Sequence, residues 1–291
     1  MDRERRDVTV VDAHQHFWDP LRVDYPWLTP SFPELDHTIG FDDLAPHLRS
    51  TGVDATVLVQ SADSAEDNDA MFDMADRHPE IAGVVAWLPL DQPSEAEITL
   101  EKLLHRERFV GVRNLLHVRP DPDWVVSEEV SASLGLMEQA GIPFDFVSAL
   151  PRHLEHVPVL CERHPALTIV IDHLSKPPVG AASLEPWASL IARAARSPNV
   201  YAKVSGLYPA AGERGPWTAD DLRPIVAYAV ELFGPERLMF GSDWPICEVA
   251  GGYEAVAGAL FAIFDNFDEP GREAVLGRTA MSVYGLEVPK P

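Results

Sequence analysis

Cysteine and basic side chains are both scarce in this chain of 291 residues. Cys161 and Cys247 are its two cysteines, too few for a disulfide framework or for a zinc site built from thiolates. The 23 lysines and arginines are outnumbered by 46 aspartates and glutamates, which leaves a formal net charge of -23. Because nucleic acids and anionic membrane surfaces attract a positive field, neither is the expected partner.

Long apolar runs, internal repeats and low-complexity segments are also missing. No apolar run reaches the roughly 18 residues of a membrane-spanning helix, and residues 1–10 are charged, unlike a secretory signal. No stretch rich in glycine and serine marks a domain boundary. Hydrophobic residues still make up 46% of the chain, enough for a large core. We therefore expect one domain over residues 1–291 of a soluble, cytoplasmic protein, with no signal for a particular oligomeric state.

Short apolar runs rich in β-branched residues alternate with helix-like segments along the whole chain. One such segment, residues 186–198, places Trp187, Leu190, Ile191 and Ala194 on one helical face. Apolar runs of this kind predict a parallel sheet with helices on both sides. The eight predicted strands cover residues 8–17, 55–60, 82–90, 109–116, 143–148, 167–174, 200–207 and 238–244.

Two architectures accommodate eight parallel strands, a closed barrel and an open doubly wound sheet. The open sheet favours a glycine-rich phosphate turn, G-x-G-x-x-G, after the first strand. Here the first run ends instead in His14-Gln15-His16. We therefore predict an α/β protein with a single (β/α)8 TIM-like barrel. In such a barrel the functional side chains lie at the C-terminal ends of the strands.

Polar residues end three of the predicted strands. His14 and His16 alternate along the first strand, on one face with Asp12, and could reach one divalent ion. His173 ends the sixth strand, and Asp243 ends the eighth, which barrel closure brings beside the first. A carboxylate beside histidines can ligate a metal, accept a proton from water, or do both. The alternatives are structural histidines, a loop ion pair at His173 and a helix cap at Asp243.

Other strand ends and one loop supply candidates for substrate contact, namely Gln60, Arg113, Asn114, Lys203 and Trp27. Arg113 lies within an apolar run, so its charge requires a partner, either the substrate or an internal carboxylate such as Asp145. Lys203, like Lys176, could instead form an ordinary ion pair at the barrel rim.

The loop after the first strand is aromatic. Trp18, Tyr25 and Trp27 could stack against a sugar-sized ring or form a hydrophobic plug. Cys247 has no histidine beside it in sequence, so we expect it to serve packing and not nucleophilic attack.

Several motifs together resemble the amidohydrolase-related lactonases. The matching segments are VDAHQHFWDP, GVRNLLH, VIDHLSKPP, VYAKVSGLY and MFGSDWPIC, spread from about residue 10 to 285. This branch of the amidohydrolase superfamily includes L-fuconolactonase, L-rhamnonolactonase and 2-pyrone-4,6-dicarboxylate lactonase. The resemblance implies a hydrolase that opens a small-molecule lactone, most simply a sugar lactone, in carbohydrate metabolism.

The resemblance also implies roles for individual residues. Asp243 would activate the water, and His14, His16 and His173 would complete the catalytic set. The same four residues would bind one divalent metal ion, with zinc as the leading candidate, or would work without metal. Arg113 would bind substrate, although many relatives have histidine at the next position, where this chain has Asn114.

Related branches of the superfamily supply the alternatives. The fourth strand does not end in a lysine, so we do not expect a binuclear metal centre. The fifth strand has no histidine, unlike the related metal-dependent decarboxylases, which remain the second hypothesis. A non-catalytic barrel is the third, although all of its polar strand ends are present.

Overall fold

A computed structural model of the chain describes residues 8–29, 32–208 and 217–288. All eight predicted strands are present in one parallel sheet with the order β1 to β8, so the predicted barrel is confirmed. The strands are β1 Val11–Gln15, β2 Ala55–Val59, β3 Ile81–Ala86, β4 Phe109–Arg113, β5 Phe144–Phe146, β6 Ile169–Ile171, β7 Val200–Val204 and β8 Leu238–Phe240.

Helices connect the strands and form the outer layer. Within the described residues they are α1 Phe41–Thr51, α2 Ala65–Arg77, α3 Pro93–Leu103, α4 Glu128–Ala140, α5 Pro151–Arg163, α6 Trp187–Ala194, α7 Ala219–Phe233, α8 Tyr253–Phe264, α9 Glu269–Glu273 and α10 Thr279–Tyr284. The predicted apolar face of α6 is buried, while Arg193 beside it is exposed. None of the helices described is long and apolar enough to cross a bilayer.

The barrel closes where the first and last strands meet. The backbone N–H of Asp243 donates to the carbonyl of His14 at 2.8 Å, and that of His16 donates to the carbonyl of Trp244 at 2.7 Å. Gly241 permits this approach, because a Cβ there would lie 2.9 Å from the Cβ of His14. Barrel closure therefore brings the histidines of β1 beside Asp243.

The lower end of the barrel is filled by apolar side chains. Val11, Val57 and Val85 pack there with Met239, and the C-terminal α10 contributes Tyr284 to the same cluster. Because this end is plugged, only the C-terminal ends of the strands can form an open site.

The register of β1 shifts between Asp12 and Gln15. The carboxylate of Asp12 accepts hydrogen bonds from the Tyr253 hydroxyl of α8 at 2.9 Å and the Ser242 backbone N–H at 2.8 Å. Simple alternation along the strand predicts that Asp12 lies in the site with His14 and His16. Asp12 instead links β1 to β8 and α8.

Candidate active site

A cavity of about 200 Å³ opens at the C-terminal ends of the strands. Its size suits a ligand with a single ring, because pockets for drug-sized molecules begin at about 300 Å³. Five of the predicted site residues line it, together with side chains from the loops after β2, β4, β5, β6 and β8. The lining is His16, Trp27, Ser61, Arg113, Leu115, His117, Val147, Ser148, Ala149, His173, Lys176, Asp243 and Ile246.

The structure brings the four predicted catalytic residues together around one oxygen atom. Oδ1 of Asp243 lies 3.6 Å from Nε2 of His16, 3.6 Å from Nε2 of His173 and 3.8 Å from Nε2 of His14. His14 is fully buried beneath His16, with their Nε2 atoms 3.0 Å apart. The Asp243 side chain faces the histidines and does not cap the following helical turn.

The far side of each imidazole is held by another group. Nδ1 of His16 donates to the carbonyl of Val59 at 2.7 Å, which leaves the lone pair on Nε2 facing the cavity. Nδ1 of His173 contacts the Ser205 hydroxyl at 2.8 Å, and Nδ1 of His14 lies 3.2 Å from Oδ1 of Asp172. Such outer partners are typical of histidines that bind metal.

Burial sets the charge of the site. Burial lowers the pKa of His173 to about 3, and it also lowers the pKa values of His14 and His16, so the imidazoles are neutral at pH 7. Burial alone would raise the pKa of Asp243, but His173 and the nearby ammonium of Lys176 hold it well below its usual range. The result is one carboxylate among neutral imidazoles.

This donor set fits a divalent metal ion. Ligand atoms of His14, His173 and Asp243 all lie within 4.8 Å of one another, and Nε2 of His16 is adjacent. Neutral imidazole nitrogens with one carboxylate oxygen are ligands that zinc accepts. Nε2 of His16 carries a lone pair and no proton, so it cannot donate a hydrogen bond to a substrate carbonyl. This further favours a cation between these side chains.

Several backbones at the site adopt the left-handed conformation. The φ angles of His173 and Asp243 are 53° and 60°. Gly206, at φ 57°, packs so closely that a Cβ would lie 2.7 Å from Nδ1 of His173 and 2.9 Å from Oδ2 of Asp243. Such strained positions are concentrated at functional sites in proteins, where packing forces the side chains into one arrangement.

Beneath the cavity lies a buried network of charges. Nη1 of Arg113 donates to Asp172 at 3.1 Å, so the internal carboxylate partner is Asp172 and not Asp145. Lys203 pairs closely with Asp145, and its Nζ lies 3.1 Å from Asp172. Burial opposes the charge of Asp172, but Lys203, His14 and Arg113 hold its pKa well below the usual range.

Three of the predicted substrate contacts do not line this cavity. Lys203, Gln60 and Asn114 are fully buried. The ammonium of Lys203 is held by Asp145 and Asp172, the Gln60 amide donates to the Arg113 carbonyl at 3.1 Å, and the Asn114 amide donates to the Leu88 carbonyl at 2.9 Å. Polar groups inside an apolar barrel need such internal partners, so they support the walls.

The aromatic loop contributes both to the protein interior and to the cavity wall. Trp18 and Tyr25 are buried, with the Trp18 indole donating to the Leu35 carbonyl at 3.0 Å and the Tyr25 hydroxyl donating to Asp67 at 3.0 Å. Trp27 is partly exposed and lines the cavity. Trp18 and Tyr25 therefore pack in the interior beneath the loop, while Trp27 forms part of the cavity wall.

Two further contributors to the site were not among the predicted site residues. The hydroxyl of Tyr208 donates to Oδ2 of Asp243 at 2.7 Å. His117 lines the cavity with an exposed side chain, and partial desolvation together with the charge of Arg113 lowers its pKa. The position of Tyr208 at the end of VYAKVSGLY was a signal for this residue, but only the fold shows that its hydroxyl reaches Asp243.

Comparison with known proteins shows the family. A family model described as Amidohydrolase matches residues 11–286. The chain belongs to the amidohydrolase family. This amidohydrolase is 34% identical over 285 residues to an L-fucono-1,5-lactonase of Burkholderia ambifaria, with 96% of each chain covered. It is 26% identical to an L-rhamnono-gamma-lactonase of Scheffersomyces stipitis, over 60% of this chain and 59% of that protein.

A solved structure gives the same result. An amidohydrolase from Burkholderia multivorans with bound zinc superposes with a TM-score of 0.86 at 30% identity, covering 96% of this chain and 100% of that one. The curated relatives just described are lactonases by name, and the predicted resemblance to the amidohydrolase-related lactonases is confirmed.

Proposed function

We propose that this amidohydrolase opens the ring of a sugar lactone by attack of a water molecule that Asp243 activates. One observation carries the proposal: a single carboxylate oxygen faces three imidazole nitrogens at 3.6–3.8 Å at the base of a small cavity. The names of the lactonase relatives support this reaction class.

Asp243 is the general base of the proposed reaction. Its low pKa keeps it ionised at neutral pH, and its Oδ2 is engaged by Tyr208, which leaves Oδ1 to accept a proton. Oδ1 takes a proton from the water as the water oxygen bonds to the lactone carbonyl carbon. The ring C–O bond then breaks, and Asp243 returns the proton to the ring oxygen.

His14, His16, His173 and Asp243 are the residues that would hold one divalent ion, with zinc as our choice. A metal bound there would polarise the lactone carbonyl and lower the pKa of the attacking water. The zinc in the related Burkholderia multivorans structure supports this assignment. The outer partners Val59, Ser205 and Asp172 keep the imidazole rings oriented whether or not a metal is bound.

Substrate contacts come from Arg113 and Trp27. Arg113 lines the cavity, and its guanidinium can donate to a substrate hydroxyl or carbonyl oxygen. Trp27 is fixed by a hydrogen bond of 2.7 Å from its indole to the Ser61 carbonyl, so its ring can stack against a sugar. Leu115, Val147 and Ile246 form the apolar part of the wall.

The decarboxylase alternative has less support. The strand-five side chain that faces the barrel interior is Asp145, whose oxygens accept from Tyr284 at 2.8 and 2.9 Å and pair with Lys203. It therefore adds no histidine to the site.

The test is a pH-indicator assay of purified protein against a panel of sugar lactones, with zinc added or with chelator. Ring opening releases a proton, so at least one lactone should acidify the solution, and Asp243→Asn should lower the rate by about 10²–10⁴-fold with an unchanged circular dichroism spectrum. Near-normal activity of Asp243→Asn would exclude its proton-transfer role. Carbon dioxide release from aromatic acids, with no lactone opened, would favour the decarboxylase.

A further inference from the structure

The loop after β6 contains an uncommon backbone conformation. His173, Leu174, Ser175 and Lys176 have consecutive φ angles of 53°, 49°, 61° and 53°. None is glycine, and L-residues adopt left-handed helical conformations only at an energetic cost. A run of four such residues persists only where the surrounding contacts hold it in place.

Contacts account for the first three residues of this left-handed turn. His173 directs Nε2 towards Oδ1 of Asp243 at 3.6 Å. The carbonyl of the buried Leu174 accepts a hydrogen bond of 2.7 Å from the Trp187 indole. The Ser175 hydroxyl is hydrogen-bonded to the Ser148 hydroxyl. The fourth residue, Lys176, donates its backbone N–H to the His173 carbonyl at 2.9 Å.

The surroundings of the Lys176 side chain differ from those of Lys203, which lies in β7. Lys203 is buried and paired with two carboxylates. Lys176 is exposed, lines the cavity, and has no carboxylate oxygen within 4.0 Å among residues 8–29, 32–208 and 217–288. The turn therefore holds at the cavity wall an ammonium that has no direct ion pair among the described residues.

The neighbouring cation in the cavity wall is already neutralised. Arg113 pairs with Asp172 at 3.1 Å, and its Nη2 donates to the Gln60 carbonyl. Among the described lining residues, Lys176 carries a positive charge that no carboxylate pairs with directly, although the carboxylate of Asp243 interacts with it at longer range.

Lactone opening produces a negative charge that a nearby cation would stabilise. A neutral lactone and water give a hydroxy acid, which loses a proton and leaves a carboxylate. This carboxylate forms beside Asp243, which is itself anionic, so the two negative charges repel one another in a site of low dielectric. The carbonyl oxygen already becomes negative in the tetrahedral intermediate, before the ring bond breaks.

We propose that Lys176 is the anion contact of this site. Its ammonium binds the lactone oxygen that becomes negative on attack, and then the same oxygen in the product carboxylate. The strained turn from His173 to Lys176 serves to place this ammonium and the His173 imidazole on the same substrate. This inference rests on the proposed lactonase function and adds a substrate-contacting residue to it.

The direct test measures binding without turnover. Isothermal titration compares L-fuconate, the open acid of a fucono-lactone, with L-fucitol, a neutral polyol in which the carboxylate is replaced by an alcohol. Lys176→Met should weaken L-fuconate binding by about 10–100-fold, as expected for one charge-assisted hydrogen bond, and leave L-fucitol binding unchanged. Lys176→Arg should keep most of the preference for L-fuconate. Lys102→Met, at an exposed position of α3, controls for the loss of one positive charge.

A stability measurement distinguishes the effect of the Lys176 ammonium on binding from the effect of the turn conformation on stability. Glycine adopts φ near +53° without cost, so Lys176→Gly should raise the melting temperature by a few degrees while it abolishes the preference for L-fuconate. Lys176→Met, which keeps a Cβ, should not raise it.

Three results would overturn the proposal: a Lys176→Met variant that binds L-fuconate like the wild type, one that loses L-fucitol binding equally, or a wild type with no preference for L-fuconate. Lys176-dependent L-fuconate binding in a protein that opens no lactone would refute the proposed function and leave this contact standing. If the protein opens lactones but Lys176→Met keeps full L-fuconate affinity, the proposed function stands and the Lys176 contact is refuted.

Discussion

The Tyr208 hydroxyl donates a hydrogen bond of 2.7 Å to Oδ2 of Asp243, the oxygen that faces away from the histidines. The other oxygen, Oδ1, lies 3.6 Å from Nε2 of His16 and of His173. The two oxygens of one carboxylate are therefore in different surroundings. Tyr208 fixes the orientation of the side chain and stabilises its charge, while Oδ1 stays available for water or metal.

Removal of this hydroxyl should change the pH dependence of the reaction. A hydrogen bond to the ionised form lowers a carboxyl pKa, so Tyr208→Phe should raise the pKa of Asp243. The base acts only when ionised, and activity falls as the pH drops through its pKa. The acidic limb of the kcat/KM profile should therefore move to higher pH by about one unit, with kcat lowered about 10-fold at neutral pH.

Tyr228→Phe is the matched control for this experiment, because the Tyr228 hydroxyl donates to the Ala188 carbonyl at 3.2 Å away from the site. Its profile should match that of the wild type. An unshifted acidic limb in Tyr208→Phe would mean that the hydroxyl does not influence the base.

Metal removal should reveal whether the histidine cluster binds zinc. We expect titration of the chelator-treated protein to give one zinc ion per chain, and activity to fall on chelation and return with zinc. His173→Asn should weaken zinc binding by more than about 10-fold, since even outer partners of metal ligands contribute 10–100-fold. His156→Asn is the control, because His156 is also buried and bonded to a carboxylate, Asp123 at 2.9 Å, but lies outside the cluster. Full activity in protein free of metal would contradict the assignment.

Gly206 provides a test of close packing behind the site. The new Cβ of Gly206→Ala would press on Nδ1 of His173 at 2.7 Å and on Oδ2 of Asp243 at 2.9 Å. A displacement of this size should reduce kcat by about 10²-fold. Gly141→Ala is a matched control, since Gly141 also has a positive φ, 68°, but its Cβ would meet no atom within 4 Å.

Both glycine variants should lose about 1 kcal/mol of unfolding free energy to backbone strain, or somewhat more, but only Gly206→Ala should lose activity. Equal kcat values for the two variants would show that the contact behind His173 and Asp243 is not required.

The buried ion pairs beneath the cavity should be necessary for stability. Lys203→Met leaves Asp145 and Asp172 buried with less compensation, and should lower the free energy of unfolding by about 3–5 kcal/mol in urea titrations. Adding Asp145→Asn removes one of the stranded charges, while Arg113 still pairs with Asp172, so the double variant should recover part of the loss. A double variant less stable than Lys203→Met would contradict this account.

Much of the fold follows from local patterns. Alternating apolar runs and amphipathic segments predict eight strands and their helices, because a strand buried on both faces must be apolar along its length. The strands themselves are shorter than the predicted runs, as with β6 at Ile169–Ile171, because the polar ends of the runs turn away into the loops of the site.

The proposed catalytic set could also be predicted from the chain. His14, His16, His173 and Asp243 each end a strand, and the closure of eight strands brings such ends to one rim. Substrate contact was harder to predict. Lys203 and Arg113 look alike as cations in apolar runs, but Lys203 lies in the charge network beneath the cavity while Arg113 reaches its wall.

The sequence by itself determined the barrel, the family and the positions where polar groups meet, since periodicity and strand ends are properties of a linear pattern. Only the tertiary structure decided which charges compensate one another. Asp172 partners Arg113, Tyr208 reaches Asp243, and Lys176 is left unpaired among the described residues. Such pairings depend on distances of a few ångströms between side chains far apart in the chain, and those distances are set by how the strands and loops pack.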